Sequence, residues 1–161
     1  EKHKLTELAP IDTVFSNNEY YLLCQGAKDQ NTCIQYRLDY VKNVEIVKDS
    51  EVKFDDYQLN SFEKKLNNMT YMYGEGKIEV IELEFTPNVY SNMIDKFGKD
   101  IHPKKTNENL YCVQVRHIIN STFYSWIIGF GGRIQIADND VHKKQFKDFL
   151  IENFINKNNA D

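Results

Sequence analysis

Cysteine is scarce and unpaired in this chain. Cys24, Cys33 and Cys112 form an odd set with no Cys-x-x-Cys spacing, which excludes a disulfide framework and a thiolate zinc site and points to a reducing compartment. Cys24 and Cys33 can face each other across a hairpin; otherwise the three read as small interior hydrophobes. His3, His102, His117 and His142 are too dispersed for an HxxxH or HExxH ligand pair, so no metal or cofactor is called for. No apolar run approaches the roughly 18 residues of a membrane span, and the first residues show no signal-peptide pattern. A soluble, cytoplasmic protein without membrane contact is expected. Arginine is limited to Arg37, Arg116 and Arg133, and 20 basic residues against 24 acidic ones leave a formal charge of -4. That balance excludes a whole-chain field for phosphate, so any nucleic-acid contact must be local.

What is present suffices for folding. The 161 residues are 41% hydrophobic and 13% aromatic, enough for one ordinary domain or two small ones with a real core. The organising stretch is Asn18 to Val41. Two runs rich in Tyr, Leu, Val and Ile flank Gln25–Thr32, whose residues carry turn chemistry, and this predicts an antiparallel hairpin. On the second strand, a period of two places Ile34, Tyr36, Leu38 and Tyr40 on a core face, and Gln35, Arg37, Asp39 and Val41 on the other. A cation and an anion two residues apart in an apolar strand mark the first candidate site.

In chain order, Ile11–Phe15 reads as a short strand ended by a turn at Ser16-Asn17-Asn18, and Val44–Val47 as another strand after the hairpin. Four short strands within fifty residues predict a small barrel or curled sheet. Leu59, Phe62, Leu66 and Met69 recur at helical spacing. Tyr71–Gly76 reads as an ordered loop in which Gly74 and Gly76 permit positive φ. From Ile78 the pattern becomes strand (Ile78–Phe85), helix (Val89–Phe97, stopped by Gly98), edge strand within Lys99–Lys105, central strand (Leu110–Ile118), helix (Phe123–Phe130), strand (Arg133–Ile136) and closing helix (Val141–Phe154). That series predicts a ferredoxin-like α+β sandwich. There is no internal repeat.

Other candidates have plainer readings. Gly129-Phe-Gly-Gly-Arg133 follows a helix and precedes a strand, the reverse of the order that aims backbone N–H groups at a phosphate, so it reads as a helix stop. Lys104-Lys105 and Lys143-Lys144 read as solvated surface. The pairs Asp55-Asp56, Glu82 with Glu84, and Asp138 with Asp140 could serve acid/base or metal chemistry, but none stands beside a group that completes a mechanism. The chain therefore does not read as an enzyme. Tyr36, Tyr40, Tyr71, Tyr73 and Trp126 can be base-stacking platforms, or core.

Tyr20-Tyr21-Leu22, preceded by Leu8-Ala-Pro10 and followed by Tyr36-Arg37-Leu38-Asp39-Tyr40, resembles the motif run of the WYL-domain regulators of bacteria. Met72-Tyr-Gly-Glu75, Asp95-Lys-Phe-Gly98 and Phe123-Tyr-Ser-Trp126 resemble that family's linker and its C-terminal extension, often called WCX. The resemblance implies a small Sm/SH3-like β-barrel over 1–54 that lacks its first strand. It further implies a connecting helix and loop over 55–77 and a WCX-type ferredoxin-like domain over 78–161. It also implies a ligand-sensing and homodimerising region, contacting DNA only through a helix-turn-helix part not present here. Of the family's pocket cations Arg37 alone carries over, since Tyr40 and Ile11 stand where relatives carry other groups. The expected binding residues are Arg37, Tyr20, Tyr21, Asp39 and Tyr40, for a nucleotide, a single-stranded oligonucleotide or a smaller anion. The rival expectation is a ligand-independent dimerisation scaffold.

Overall fold

The computed structural model describes residues 6–26, 33–48, 65–138 and 140–156. The chain divides into two compact units, Glu1–Leu66 and Asn67–Asp161, and is mixed α and β, with one antiparallel sheet in each. Among the described residues no helix is long and apolar enough to cross a membrane.

The first unit is a three-stranded sheet in the order β1-β2-β3: β1 Leu8–Ser16, β2 Glu19–Gly26 and β3 Cys33–Arg37. Asn17 and Asn18 join β1 to β2 with φ of 51° and 64°, the left-handed pair that a two-residue hairpin turn requires and that asparagine tolerates. The register runs from Ser16↔Glu19 to Leu8↔Gly26, with a shift between Pro10 and Asp12 that leaves Ile11 as the extra residue of a bulge. The hairpin read from the sequence is β2-β3, paired from Tyr21↔Arg37 to Gln25↔Cys33; residues 27–32 of its loop lie outside the described residues.

Several expectations for this unit need correction. β3 ends at Arg37, and Leu38–Tyr40 turns in a single 3-10 helix closed by Val41 N–H on the Leu38 carbonyl at 3.2 Å. Leu38 and Tyr40 therefore leave the strand's core face, and Tyr40 is 71% exposed. Cys24 lies opposite Ile34, while Cys33 lies opposite Gln25, so the two cysteines are not partners in the register. Val44–Val47 is not a strand, and Ile46 is 93% exposed, because β-propensity needs a partner strand to act. Most of the helix expected over Leu59–Met69 lies outside the described residues, as does the Asp55-Asp56 pair. Among the described residues the first unit contains no closed barrel.

The second unit is laid out as its periodicity predicts. β4 Ile78–Phe85 is followed by α1 Tyr90–Phe97, β5 Lys104–Asn107, β6 Leu110–Ile118, α2 Ser121–Ile128, β7 Ile134–Ile136 and α3 His142–Leu150, which runs on into one π-helical turn, Ile151–Ile155. The sheet order is β5-β6-β4-β7, all antiparallel. One face carries Ile81, Leu83 and Phe85 of β4 with Val113 and Val115 of β6, packed under Met93 of α1 and Phe123 and Ile127 of α2. Burying each such side chain stabilises the fold by about 1.5–3 kcal/mol. By strand parity the other face carries Val80, Glu82 and Glu84 beside Cys112, Gln114 and Arg116. With no aromatic and two carboxylates on those central strands, that face is poorly suited to stacking bases.

Helix ends follow local chemistry. Asn120 caps α2 by accepting from Phe123 N–H at 3.0 Å. Past α2, Gly131 and Gly132 take φ of 57° and 82°, while the amides of Gly129, Phe130 and Gly131 all bond back to helix carbonyls. The Gly129–Arg133 run is thus a helix stop, with those N–H groups already spent. Asp140 replaces the strand neighbour that short β7 cannot supply to β4. Its Oδ2 accepts from Glu82 N–H at 2.7 Å and its Oδ1 from His142 N–H at 2.8 Å. Asp138, its sequence neighbour in the candidate carboxylate pair, instead forms an ion pair with Lys143. Asp140→Ala is expected to lower stability by about 1.5–3 kcal/mol, because two charge-assisted bonds to backbone donors are lost together. A shift in urea midpoint at constant slope would show it; an unchanged midpoint would remove Asp140 from the clamp.

Candidate functional site: the Glu19–Arg37–Asp39 cluster

The hairpin register builds this cluster. Tyr21 lies opposite Arg37, and Glu19, two residues before Tyr21, shares its face. The 3-10 turn after β3 then folds Asp39 and Tyr40 back on Arg37. Arg37 donates from Nε to Asp39 Oδ1 at 3.1 Å and from Nη2 to Asp39 Oδ2 at 2.7 Å. Nη2 also stands 3.0 Å from Glu19 Oε1. The guanidinium carbon lies 4.6 Å from the Tyr40 ring centroid, a cation–π distance.

Four of the expected residues therefore meet. Tyr20 does not: it faces the opposite side of the sheet, where its ring packs on Phe15 at a centroid distance of 4.9 Å. Glu19 belongs to the cluster and was not anticipated. Its signal was the two-residue parity with Tyr21, readable only once the β2-β3 register is known.

Electrostatically the cluster is self-compensated. Hydrogen bonding to Asp39, then the charges of Asp39 and Glu19, hold the Arg37 guanidinium firmly protonated. Bonding to Arg37 keeps the Asp39 carboxyl below the usual carboxylate range. One cation against two carboxylates sums to a formal charge of -1. The three side chains are 32%, 37% and 45% exposed, so solvent screens both pairs and they add little to stability. Asp39 occupies the Nε/Nη2 edge of the fork in bidentate fashion, the geometry suited to orienting a guanidinium. An incoming anion must share Nη2 with Glu19 or displace it.

A second polar cluster, buried in the Asn67–Asp161 unit, was not expected. Thr70, 1% exposed, sits between Lys96 of α1 and His117 of β6. Lys96 Nζ donates to Thr70 Oγ1 at 2.9 Å and to the Met69 carbonyl at 3.2 Å. Thr70 Oγ1 is 2.9 Å from His117 Nε2. That oxygen accepts from Lys96 and meets Nε2 as donor or as second acceptor according to the imidazole tautomer. Nδ1 is buried without a partner among the described residues. Burial first, then the charge of Lys96, pushes the His117 pKa down to about 3; burial alone lowers that of Lys96 to about 8. A hydroxyl beside a base has the form of an activated nucleophile. Here the hydroxyl is closed off from solvent and the imidazole is too weak a base near neutral pH to activate it.

The remaining candidates are quiet. Burial pushes the thiols of Cys24 and Cys112 up to about 11, Glu82 contributing at Cys112, away from the thiolate range in which cysteine reacts. Lys104 and Lys105 lie exposed on edge strand β5, and Lys143 is paired with Asp138. Tyr71 and Tyr73 are exposed at a turn, and Trp126 is core. Among the described residues no group of three or more His, Cys, Asp or Glu side chains could hold a metal ion. The chain matches no protein-family model and no curated protein.

Proposed function

We propose that this chain is the effector-sensing and dimerisation region of a bacterial transcriptional regulator of the WYL type. The observation that carries this reading is the Arg37 guanidinium, oriented by Asp39, faced by Tyr40 and opposed across the hairpin by Tyr21. A nucleotide, short oligonucleotide or smaller anion would displace Glu19 from Nη2 and pack its planar part on the tyrosine rings. Contact with DNA would come only through a helix-turn-helix part outside this chain.

The fold supports the reading at a coarser level. The β-α-β-β-α-β series with sheet order β5-β6-β4-β7 is what a ferredoxin-like WCX domain would need. The antiparallel β1-β2-β3 sheet has the form that three strands of a small Sm/SH3-like barrel would take. Phe15, Tyr20, Val44 and Ile46 are exposed apolar groups of the kind a homodimer covers. One observation favours the rival, a ligand-independent dimerisation scaffold: the Arg37 charge is already matched by Asp39 and Glu19.

Fluorescence anisotropy with short single-stranded DNA and RNA, on the chain and on Arg37→Ala at low and moderate salt, separates the two. Saturable binding weakened at least about tenfold by the substitution, the scale of losing one charge-assisted contact, would support the sensor. Binding indifferent to the substitution would move the site away from Arg37. Without any binding, a thermal-shift screen with mononucleotides decides, because a ligand that binds only the folded state must raise the midpoint. A flat screen would leave the scaffold.

A further inference from the structure

The segment that leads into the second unit is tied down at both ends. Asn68 accepts from Ile118 N–H at 2.7 Å, and Tyr73 N–H closes a turn on the Thr70 carbonyl at 3.0 Å. Asn120 Nδ2 donates to the carbonyls of Tyr73 and Glu75 at 3.2 and 3.1 Å. Gly76, with φ of 117°, passes so close to Ile118 that a Cβ there would stand 3.1 Å from its Cγ2. Within this strap Tyr71 and Met72 hold φ of 52° and 67°, left-handed values that strain bulky residues. Met72 is buried and Tyr71 exposed. The strain persists because neighbouring contacts hold it. The turn itself is closed by the Tyr73–Thr70 bond, and Lys96 holds its N-terminal side through Met69 and Thr70.

Lys96 is an unusual lysine. It is half-buried, both its acceptors are neutral oxygens, and among the described residues no carboxylate forms an ion pair with it. Its other neighbour is the Trp126 ring, 5.7 Å from Nζ to centroid. The ammonium has thus given up much of its water without a counter-charge, an environment that favours the free, nucleophilic amine.

We propose that Lys96 is an acylation site for small acyl phosphates, and that its acylation undocks the strap. The free amine attacks the acyl carbon; an N–C bond forms, the C–O bond to phosphate breaks, and phosphate leaves with that electron pair. The displaced amine proton passes to water or phosphate. The product amide has one N–H in place of an ammonium's three, so it cannot serve both Met69 and Thr70, and the added acyl group needs room beside Trp126. Met69 and Thr70, at the N-terminal side of the strained Tyr71-Met72 turn, then lose a shared donor.

The test uses acetyl phosphate on the full chain from about pH 6.5 to about pH 10, with each lysine followed by peptide mass spectrometry. With its pKa near 8, Lys96 keeps roughly a quarter of its amine free at pH 7.5, against about one part in a thousand for an ordinary lysine. Part of that advantage is returned because a less basic amine is a weaker nucleophile. The expected result is acetylation about tenfold faster than at Lys104 and Lys105, with half-maximal rate near pH 8, and faster backbone hydrogen exchange over residues 67–76 in the acetylated protein. Lys96→Arg, which keeps a cation but offers no acylatable amine, should retain the protected strap after the same treatment. Acetylation of Lys96 no faster than Lys104 and Lys105, or with their pH dependence, would overturn the site. Acetylation that leaves strap exchange unchanged would overturn the coupling.

Discussion

On acidification below about pH 6.5, the Asn67–Asp161 unit is expected to lose up to about 1.4 kcal/mol of stability per pH unit through His117 alone. The imidazole is fully buried among Phe97 and Phe123, hydrogen-bonds the Thr70 hydroxyl, and faces the positive charge of Lys96 one hydroxyl away. Its register partner across the sheet is Glu79, whose carboxylate lies 3.8 Å from His142. In the unfolded chain the imidazole binds a proton near its ordinary pKa of 6.5, while in the fold it stays neutral down to about 3. Between those values the unfolded state holds more protons, so stability is present above the upper value and is lost as pH falls toward the lower one. The full loss is several kcal/mol, comparable with much of a typical domain's stability.

Lys96 adds nothing to this acid slope, because below about pH 8 it is protonated in both states. Its own effect lies on the alkaline side. Between about 8 and 10.5 the unfolded lysine holds a proton that the folded one has released, so stability rises with pH there. His117→Gln separates the acid contribution from that of the carboxylates. It can still hydrogen-bond Thr70 but does not titrate, so the urea midpoint should vary less steeply with pH across the window, whatever its absolute value. An unchanged slope would show that His117 is not the group responsible.

Local pattern carried much of the second unit. Strand Ile78–Phe85 and the helix stopped by Gly98 were legible because their apolar periodicity, cap and turn residues agree with the tertiary fold. The first unit was legible only where chain neighbours decide the outcome. Asn17-Asn18 announces its turn, whereas the choice of Tyr21 over Tyr20 as the neighbour of Arg37 shows only in the register. Val44–Val47 has the same β-forming composition but no pairing strand among the described residues. Tyr40 left its predicted face because the chain turns immediately after Arg37.

The buried cluster shows a different limit. Thr70 and His117 are 47 residues apart, and neither carries a sequence sign of the other. Lys96 reads as a wet lysine on the last turn of an amphipathic helix, a natural place for a cation near the C-terminal dipole. Its burial comes from a strap that sequence alone shows only as a glycine-containing loop. Likewise Asp140 reads as half of a carboxylate pair with Asp138, and its work on the backbone of β4, 58 residues away, depends on where β7 ends. Charged residues disclose their roles through partners, and partners this distant become visible only in the fold.

Phe123→Ala should be the most damaging single truncation in the second unit, at about 3–5 kcal/mol. The side chain is fully buried at the start of α2, with its ring centroid 4.8 Å from His117 and 6.0 Å from Trp126, nearly parallel to the indole. Removing it costs the transfer energy of a phenyl ring and leaves a cavity whose walls are β6, α2 and the two rings. Because one wall is an imidazole with an unpartnered Nδ1, the cavity can admit water, as apolar cavities do not. The substitution therefore makes a second, independent prediction. Water beside Nδ1 would solvate the imidazolium and raise the His117 pKa from about 3 toward the ordinary histidine range. Proton NMR of the imidazole across pH would register the change in any sample that remains folded, while the urea midpoint reports the lost packing. A large stability loss with an unmoved His117 titration would mean that the cavity collapses dry, with Trp126 or Phe97 filling it. A loss below about 1 kcal/mol would place the packing weight on other rings of this core.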